Sequence, residues 1–401
     1  MNSTEAAGLA ETHLLSNITI LTLEQATTLP FLTYRLACDG ARVIRIENRQ
    51  RPDPNRFVGR KVLAEEGMNS YFLPNNCGKQ AITLNLATAE GQAILRDLIV
   101  KLEVDIFACN QRPRSYARLG IDDDTLRAAK PDLIWLGITA FGPESDEAGY
   151  DPILQARAGF MDLTGEPDGP PLAFGLPMID LGAAEHGYGQ VMKALYYRAL
   201  TGQGARLDLS MFQSAVSWLV TPVLLAHSLA EPVTRRGNTH QFFAPVSVYP
   251  TRDGHVYVAV GNDGQWAGIT GLPFFAHLAR PEFERNAGRI AAVRQLNQQL
   301  ADVFCLMTTA EALATFQTIG VPISRVNSID RVLDDPLVAG RLAHLTDPRS
   351  GLSVALPAPP VGAAPALSFP PRLGEHNTQI YGDILGYSAA ALADLERREI
   401  I

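Results

Sequence analysis

The sequence predicts an α/β protein with a large, doubly wound domain around a mostly parallel sheet and a smaller α+β domain. Strand-like and helix-like patterns alternate between Ile18 and Ile138. Several strand-like runs are almost wholly apolar, as parallel strands covered on both faces require. From about Leu229 the texture changes to a hairpin followed by helices. With 401 residues, 46% of them hydrophobic and 19% charged, the chain can fill two cores. The expected division is 1–225 with 330–401 as the large domain and 226–329 as the small one.

Each element has its own signal. Ile18–Glu24 (ITILTLE) is β-rich, Pro30–Cys38 can turn as a helix, and Arg42–Glu47 (RVIRIE) reads as the second strand. Ala81–Leu86 (AITLNL) is a third strand, and Thr88 is a natural cap for a helix over Thr88–Leu102. Val104–Cys109 and Leu133–Ile138 are short β runs separated by a helix at Asp123–Ala129. Gly149–Leu200 reads as long helices, clearest over Leu181–Leu200. Val246–Tyr249, a Thr251–Gly254 turn and His255–Val260 form the hairpin, with helices following to about Gly320. Leu356–Pro371 is expected to be a Pro-rich loop, and Ser388–Glu399 a terminal helix.

Composition and motifs exclude several function classes. A net charge of −8 argues against a sequence-independent grip on nucleic acid. Cys38, Cys77, Cys109 and Cys305 form no C-x-x-C pair, and the eight histidines show no metal-ligand spacing, so no metal is expected. Met1–Leu15 lacks the basic-then-apolar build of a leader. The longest apolar stretch, about Ala215–Ala230, is broken by Pro222 and His227 and is too short for a membrane span. A cytoplasmic protein without a membrane partner is the expectation. No G-x-G-x-x-G, Walker loop, G-x-S-x-G elbow or H-E-x-x-H helix appears.

What remains is sparse. Asp180 lies between the extended stretch Ala173–Ile179 and a helix beginning near Leu181. It reads either as an N-cap or as a carboxylate nucleophile presented in one direction by the helix start. Arg45, Arg49, Arg51 and Arg56 form a basic cluster after the second strand, either a solvated loop face or a phosphate clamp at the sheet edge. Asn110-Gln111-Arg112-Pro113, with Arg118-Leu119-Gly120, follows another strand end as a polar turn or a second anion grip.

These segments carry a resemblance. Asn76-Cys77-Gly78-Lys79-Gln80-Ala81-Ile82-Thr83-Leu84 is similar to an N-R-G-K-R-S-I-T-L motif, and Asn110–Pro113 with Arg118–Gly120 to N-F-R-P followed by R-L-G. Gly149-Tyr150-Asp151, Leu163–Pro171 (LTGEPDGPP), Ile179-Asp180-Leu181, Thr201–Gly204 (TGQG), Gly237-Asn238, Ala244-Pro245 and Pro371–His376 (PRLGEH) follow in the same order. In this pattern the chain resembles the family III (CaiB/BaiF-like) CoA-transferases, which also include α-methylacyl-CoA racemases. It departs from them at Thr28-Leu29-Pro30, where A-G-P is common.

The resemblance implies a Rossmann-like large domain, an interlocked homodimer, and coenzyme A as a cosubstrate with no permanently bound cofactor. It implies Asp180 as the nucleophile, forming an acyl anhydride and then an aspartyl-CoA thioester. Asn110, Gln111 and Arg118 would hold CoA, with Gln25, Ala26, Thr27 and Thr28 along its pantetheine and Arg49 or Arg51 near a phosphate. Racemase relatives carry G-H-D where this chain has Gly149-Tyr150-Asp151, and a phenol near pKa 10 is a poor base at neutral pH. Transfer is therefore favoured over isomerisation, and the presence of Asp180 argues against a CoA-binding protein without catalysis. Arg157 stands where an apolar residue is usual. It is either a helix-surface residue or a partner for a second substrate carboxylate. The expected substrates are succinyl-CoA and a C4–C5 dicarboxylate such as citramalate, malate, itaconate or mesaconate, with Tyr150 and Arg157 bordering the acid.

Overall fold

The computed structural model describes residues 14–65, 67–360 and 364–401. The leader reading of Met1–Leu15 falls almost wholly outside that range, as does part of the Pro-rich stretch. The described chain divides into two units, Met1–Ala158 with Gly175–Thr221 and Gly340–Ile401, and Gly159–Phe174 with Pro222–Ala339.

In the first unit, β1 (Thr19–Leu23), β2 (Arg42–Glu47), β3 (Lys79–Thr83), β4 (Ile106–Cys109), β5 (Ile134–Thr139) and β6 (Arg206–Ser210) form one sheet in the order β3-β2-β1-β4-β5-β6. Every neighbouring pair is parallel. The chain builds outward from β1 through β2 to β3, then returns to β4 on the other side of β1. The crevice between the carboxyl ends of β1 and β4 is therefore the switch point at which such sheets bind ligands.

The apolar runs fill both faces. Ile20, Leu21, Val43, Ile44, Ile82, Phe107 and Trp135 are buried, each such side chain contributing about 1.5–3 kcal/mol. Helix α1 (Thr28–Cys38) follows β1, and α2 (Ala89–Lys101) packs Ile94, Leu95, Leu98 and Ile99 into the core. Thr88 caps α2, its hydroxyl accepting the Gly91 N–H at 3.0 Å. Gly91 is fixed by the same turn, because a Cβ there would stand 2.1 Å from the Asn85 carbonyl oxygen. Helices α3 (Asp123–Ala129), α4 (Asp151–Arg157), α5 (Met178–Thr201) and α6 (Met211–Ser217) complete the elements that matter for the site.

Several features depart from the sequence reading, among them the expected long helices of Gly149–Leu200, which are broken between Leu163 and Met178. Strand β3 begins at Lys79 rather than Ala81, because Val43 of β2 pairs with Lys79. The amphipathic run Arg206–Ser210, read as no element, becomes the edge strand β6. The start of the expected Pro-rich loop belongs to an antiparallel hairpin of Leu342–Thr346 with Ser353–Pro357.

The second unit holds the antiparallel strands Val246–Thr251, Gly254–Ala259 and Ile323–Arg325. Helix Val293–Phe304 buries Leu296, Leu300, Val303 and Phe304, and helix Thr309–Thr318 starts with a Thr308–Glu311 capping box. Segment 159–174, placed in the large domain by sequence, groups with this unit. Arg235 donates to Asp162 Oδ1 at 2.6 Å, and the Gly237 N–H donates to the Gly165 carbonyl. Residues 330–339, also expected in the large domain, group here too.

Candidate active site

Two helix starts meet at Asp180. The Thr28 hydroxyl, in the first turn of α1, donates to Asp180 Oδ1 in the first turn of α5 at 2.6 Å. Farther along, a Cβ on Gly187 would stand 2.4 Å from Leu32 Cδ1, and the Tyr188 hydroxyl donates to Asp39 Oδ2 at 2.6 Å. The contacts advance along both helices together, so α1 and α5 run parallel with their positive dipole ends at Asp180.

Asp180 is the third residue of α5 and does not cap it, contrary to the N-cap reading. The capping carboxylate is Asp151, at the start of α4. Its Oδ2 accepts the N–H groups of Ile179 at 2.6 Å and Asp180 at 3.2 Å. The Met178 N–H goes to the Leu176 carbonyl and the Leu181 N–H to the Pro177 carbonyl. All four first-turn donors of α5 are thus occupied, and none is left for an oxyanion.

Among the described residues, the Thr28 hydroxyl is the one hydrogen-bond donor to the Asp180 carboxylate. Burial, opposed by that hydrogen bond and reinforced by the Asp151 charge, pushes the Asp180 carboxyl up to about 6. It is then mostly ionised at neutral pH and more basic than an ordinary carboxylate.

The switch-point crevice holds a cavity of about 290 Å³, lined by Gln25, Glu47, Asn48, Arg51, Asp53, Gln111 and Arg118 together with apolar side chains such as Ile46 and Leu86. Of the expected CoA contacts it gathers Gln25, Arg51, Gln111 and Arg118. Arg49 is exposed outside its lining, and Ala26, Thr27 and Thr28 lie beyond it. The Asn110 carboxamide is turned onto the chain itself. Its Oδ1 accepts the Gln25 N–H at 3.1 Å, and its Nδ2 donates to the Gln25 carbonyl at 2.8 Å.

Two members of the basic cluster have internal partners. Arg56 donates to both Glu47 oxygens, at 2.6 and 2.8 Å. Arg45 pairs with Glu47 and Asp53 at 3.1 Å each, and Lys79 donates to Glu24 at 2.7 Å. All six charged side chains are buried. Despite burial, the Arg45 and Arg56 guanidiniums hold the Glu47 carboxyl down at about 2. The phosphate-clamp reading therefore does not extend to Arg45 and Arg56. With Lys79 they neutralise the carboxylates of Glu24, Glu47 and Asp53, which themselves line the cavity beside Arg51 and Arg118.

Tyr150 precedes α4 and is 74% exposed. Arg157, at the other end of α4, pairs with Glu147 at 2.7 Å and stacks 4.2 Å from the Phe141 ring. His186 accepts the Trp218 indole N–H at Nε2, which leaves Nδ1–H for the Ser214 hydroxyl at 2.6 Å. Among the described residues no three His, Cys, Asp or Glu side chains converge as a metal site. The sequence reading missed Asp151 as the cap of α5. The available signal was its place ahead of Pro152, at the acidic first turn of a helix.

The sequence profile described as CoA-transferase family III matches residues 15–377. The chain is 31% identical over 404 residues to an acyl-CoA transferase of Fusarium pseudograminearum, covering 96% of this chain and 88% of that one. It is 30% identical over 392 residues to a succinate–glutarate CoA-transferase of Agrobacterium fabrum, covering 92% and 95%. The crystal structure of a CAIB/BAIF family protein from Brucella suis superposes with a TM-score of 0.81 at 30% identity, covering 93% of this chain and 100% of that one. With the profile match over nearly its whole length, and with a half-buried carboxylate between two helix starts, the chain belongs to CoA-transferase family III.

Proposed function

We propose that this chain transfers CoA from succinyl-CoA to a C4–C5 dicarboxylic acid through covalent intermediates on Asp180. The observation that carries this reading is a half-buried carboxylate with one hydrogen-bonded oxygen, Oδ1, and, among the described residues, no cation beside it. Asp180 attacks the thioester carbonyl carbon, the C–S bond breaks, and CoA thiolate leaves behind a mixed anhydride. The thiolate then attacks the aspartyl carbonyl, releasing the donor carboxylate and forming an aspartyl-CoA thioester. The acceptor carboxylate runs the same two steps in reverse. No proton is gained or lost, and the activated bond is conserved throughout. Oxyanion stabilisation falls to groups other than the α5 amides, which Asp151 and nearby carbonyls occupy.

CoA would lie in the switch-point cavity, its phosphates toward Arg51 and Arg118. The dicarboxylate class is supported by the glutarate named for the Agrobacterium relative. Arg157 would meet the distal carboxylate by exchanging Glu147 for it. If Arg157→Met leaves the KM for dicarboxylates unchanged, that assignment fails. A working homodimer is part of the proposal, and Tyr196, Tyr197 and Leu200 give α5 an exposed apolar end for a second copy. Among the described residues no helix is long and apolar enough to cross a membrane, and a cytoplasmic setting is proposed.

The test is peptide mass spectrometry after incubation with succinyl-CoA and borohydride. Reduction of the aspartyl thioester to the alcohol on the Asp180 peptide is expected. An unreduced Asp180, with α-proton exchange of a branched acyl-CoA in deuterated water, would move the protein to the isomerase class.

A further inference from the structure

Gln25 and Ala26 link the end of β1 to Thr27, the residue that opens α1, and all four of their backbone polar groups are tied down. Asn110 holds both groups of Gln25. Asp53 Oδ1 accepts the Ala26 N–H at 3.1 Å, and Asn55 Nδ2 donates to the Ala26 carbonyl at 2.8 Å. Ala26 needs this help because its φ is +63°, a left-handed conformation that a Cβ disfavours.

We propose that Asp53 and Asn55 are positioning residues for CoA transfer, which pin Ala26 in its left-handed turn and so aim the Thr28 hydroxyl at Asp180. The inference rests on the reading of Asp180 as the nucleophile. The geometry is a short lever. Thr28 lies two residues beyond Ala26, and the first helical bond runs from the Phe31 N–H to the Thr27 carbonyl at 2.8 Å. Relaxation of Ala26 to negative φ redirects the chain before that bond and swings Thr28 away. Asp53 is itself immobile: Oδ2 pairs with Arg45 at 3.1 Å, Oδ1 also accepts the Asn55 N–H at 3.0 Å, and its own N–H donates to Glu47 at 3.1 Å. The buried ion cluster therefore serves as an anchor for a turn next to the nucleophile.

Asn55→Ala in the full-length enzyme is the test, because Asp53 lies inside the ion cluster and its loss endangers folding. Asn55 lies outside the cavity lining, so KM for succinyl-CoA should hold while kcat falls roughly tenfold, the equivalent of one hydrogen bond. The acid limb of the kcat profile should also move up by roughly one pH unit, because a displaced Thr28 no longer lowers the Asp180 pKa. Adding Ala26→Gly should restore most of the loss, since glycine adopts the left-handed turn unaided. Asn55→Asp, of the same size but with an acceptor facing the Ala26 carbonyl, should reproduce the defect if Asn55→Ala folds poorly. A lower Tm with unchanged kcat and acid limb overturns the proposal. Borohydride labelling separates the two levels. A wild-type enzyme labelled at Asp180 with an unaltered variant profile overturns the positioning role alone, and a wild type unlabelled there overturns the nucleophile reading and this inference together.

Discussion

Glu24, Glu47 and Asp53, buried near the carboxyl edge of the sheet, are answered by Arg45, Arg56 and Lys79, whereas Asp151 and Asp180 sit together with no cation among the described residues. In the first group, guanidiniums hold Glu47 at about 2 despite its burial. In the second, burial wins and Asp180 rises to about 6, with only the Thr28 hydroxyl and two helix starts in opposition. The same physics thus gives a neutral scaffold in one place and a basic, weakly compensated carboxylate in the other. The structural network completes its partners, and the carboxylate proposed as nucleophile keeps an oxygen free of them.

The largest way to break the contrast is Asp180→Asn. With Asp180 as the proposed nucleophile, its loss should lower kcat by about 10⁴ or more, read in a thioester-exchange assay. The same variant should be more stable than wild type at pH 8, by about 1–3 kcal/mol in urea unfolding. The sign follows from linkage. The folded pKa lies above the unfolded one, so wild type loses stability as pH rises through that interval. The advantage of the amide should fade as pH falls from about 6 toward about 4. An amide variant no more stable at pH 8 would mean that Asp180 is better compensated than its surroundings imply.

The scaffold should respond in the opposite direction. Glu47→Gln leaves Arg45 and Arg56 without their shared carboxylate and should destabilise the protein by about 3–5 kcal/mol in denaturant unfolding. Thr28→Val sharpens the comparison most finely. It removes the one donor to the Asp180 carboxylate among the described residues, which should lower kcat roughly tenfold and move the acid limb of the rate profile upward, with little change in Tm.

The division between what the sequence reveals and what it conceals follows the range of each interaction. The parallel sheet is legible because β4 and β5 are local apolar runs and β1 and β2 are short runs rich in β-branched residues, and Thr88 because a cap acts within three residues. Strand β6 escapes because RLDLS is polar on alternate positions and gains its pairing from β5, far away in sequence. Asp180 is legible through its motif, but its environment is not. Thr28 reaches it across 152 positions and Asp151 caps its helix across 28. Arg45 and Arg56 mislead for the same reason. As a string they look like a phosphate clamp, and only the fold brings Glu47 and Asp53 to them. Motif order carries family membership, while the protonation state of Asp180 is a property of the assembled site.

The most direct measurement is therefore the pKa of Asp180 in the free, full-length enzyme. Aspartate labelled with ¹³C at the side-chain carboxyl gives a resonance that can be assigned by its loss in Asp180→Asn and followed from pH 4 to pH 8. The expected midpoint is about 6. A midpoint at or below about 4, the ordinary aspartate value, would contradict an Asp180 set apart from the neutralised scaffold by partial burial with no cation among the described residues beside it.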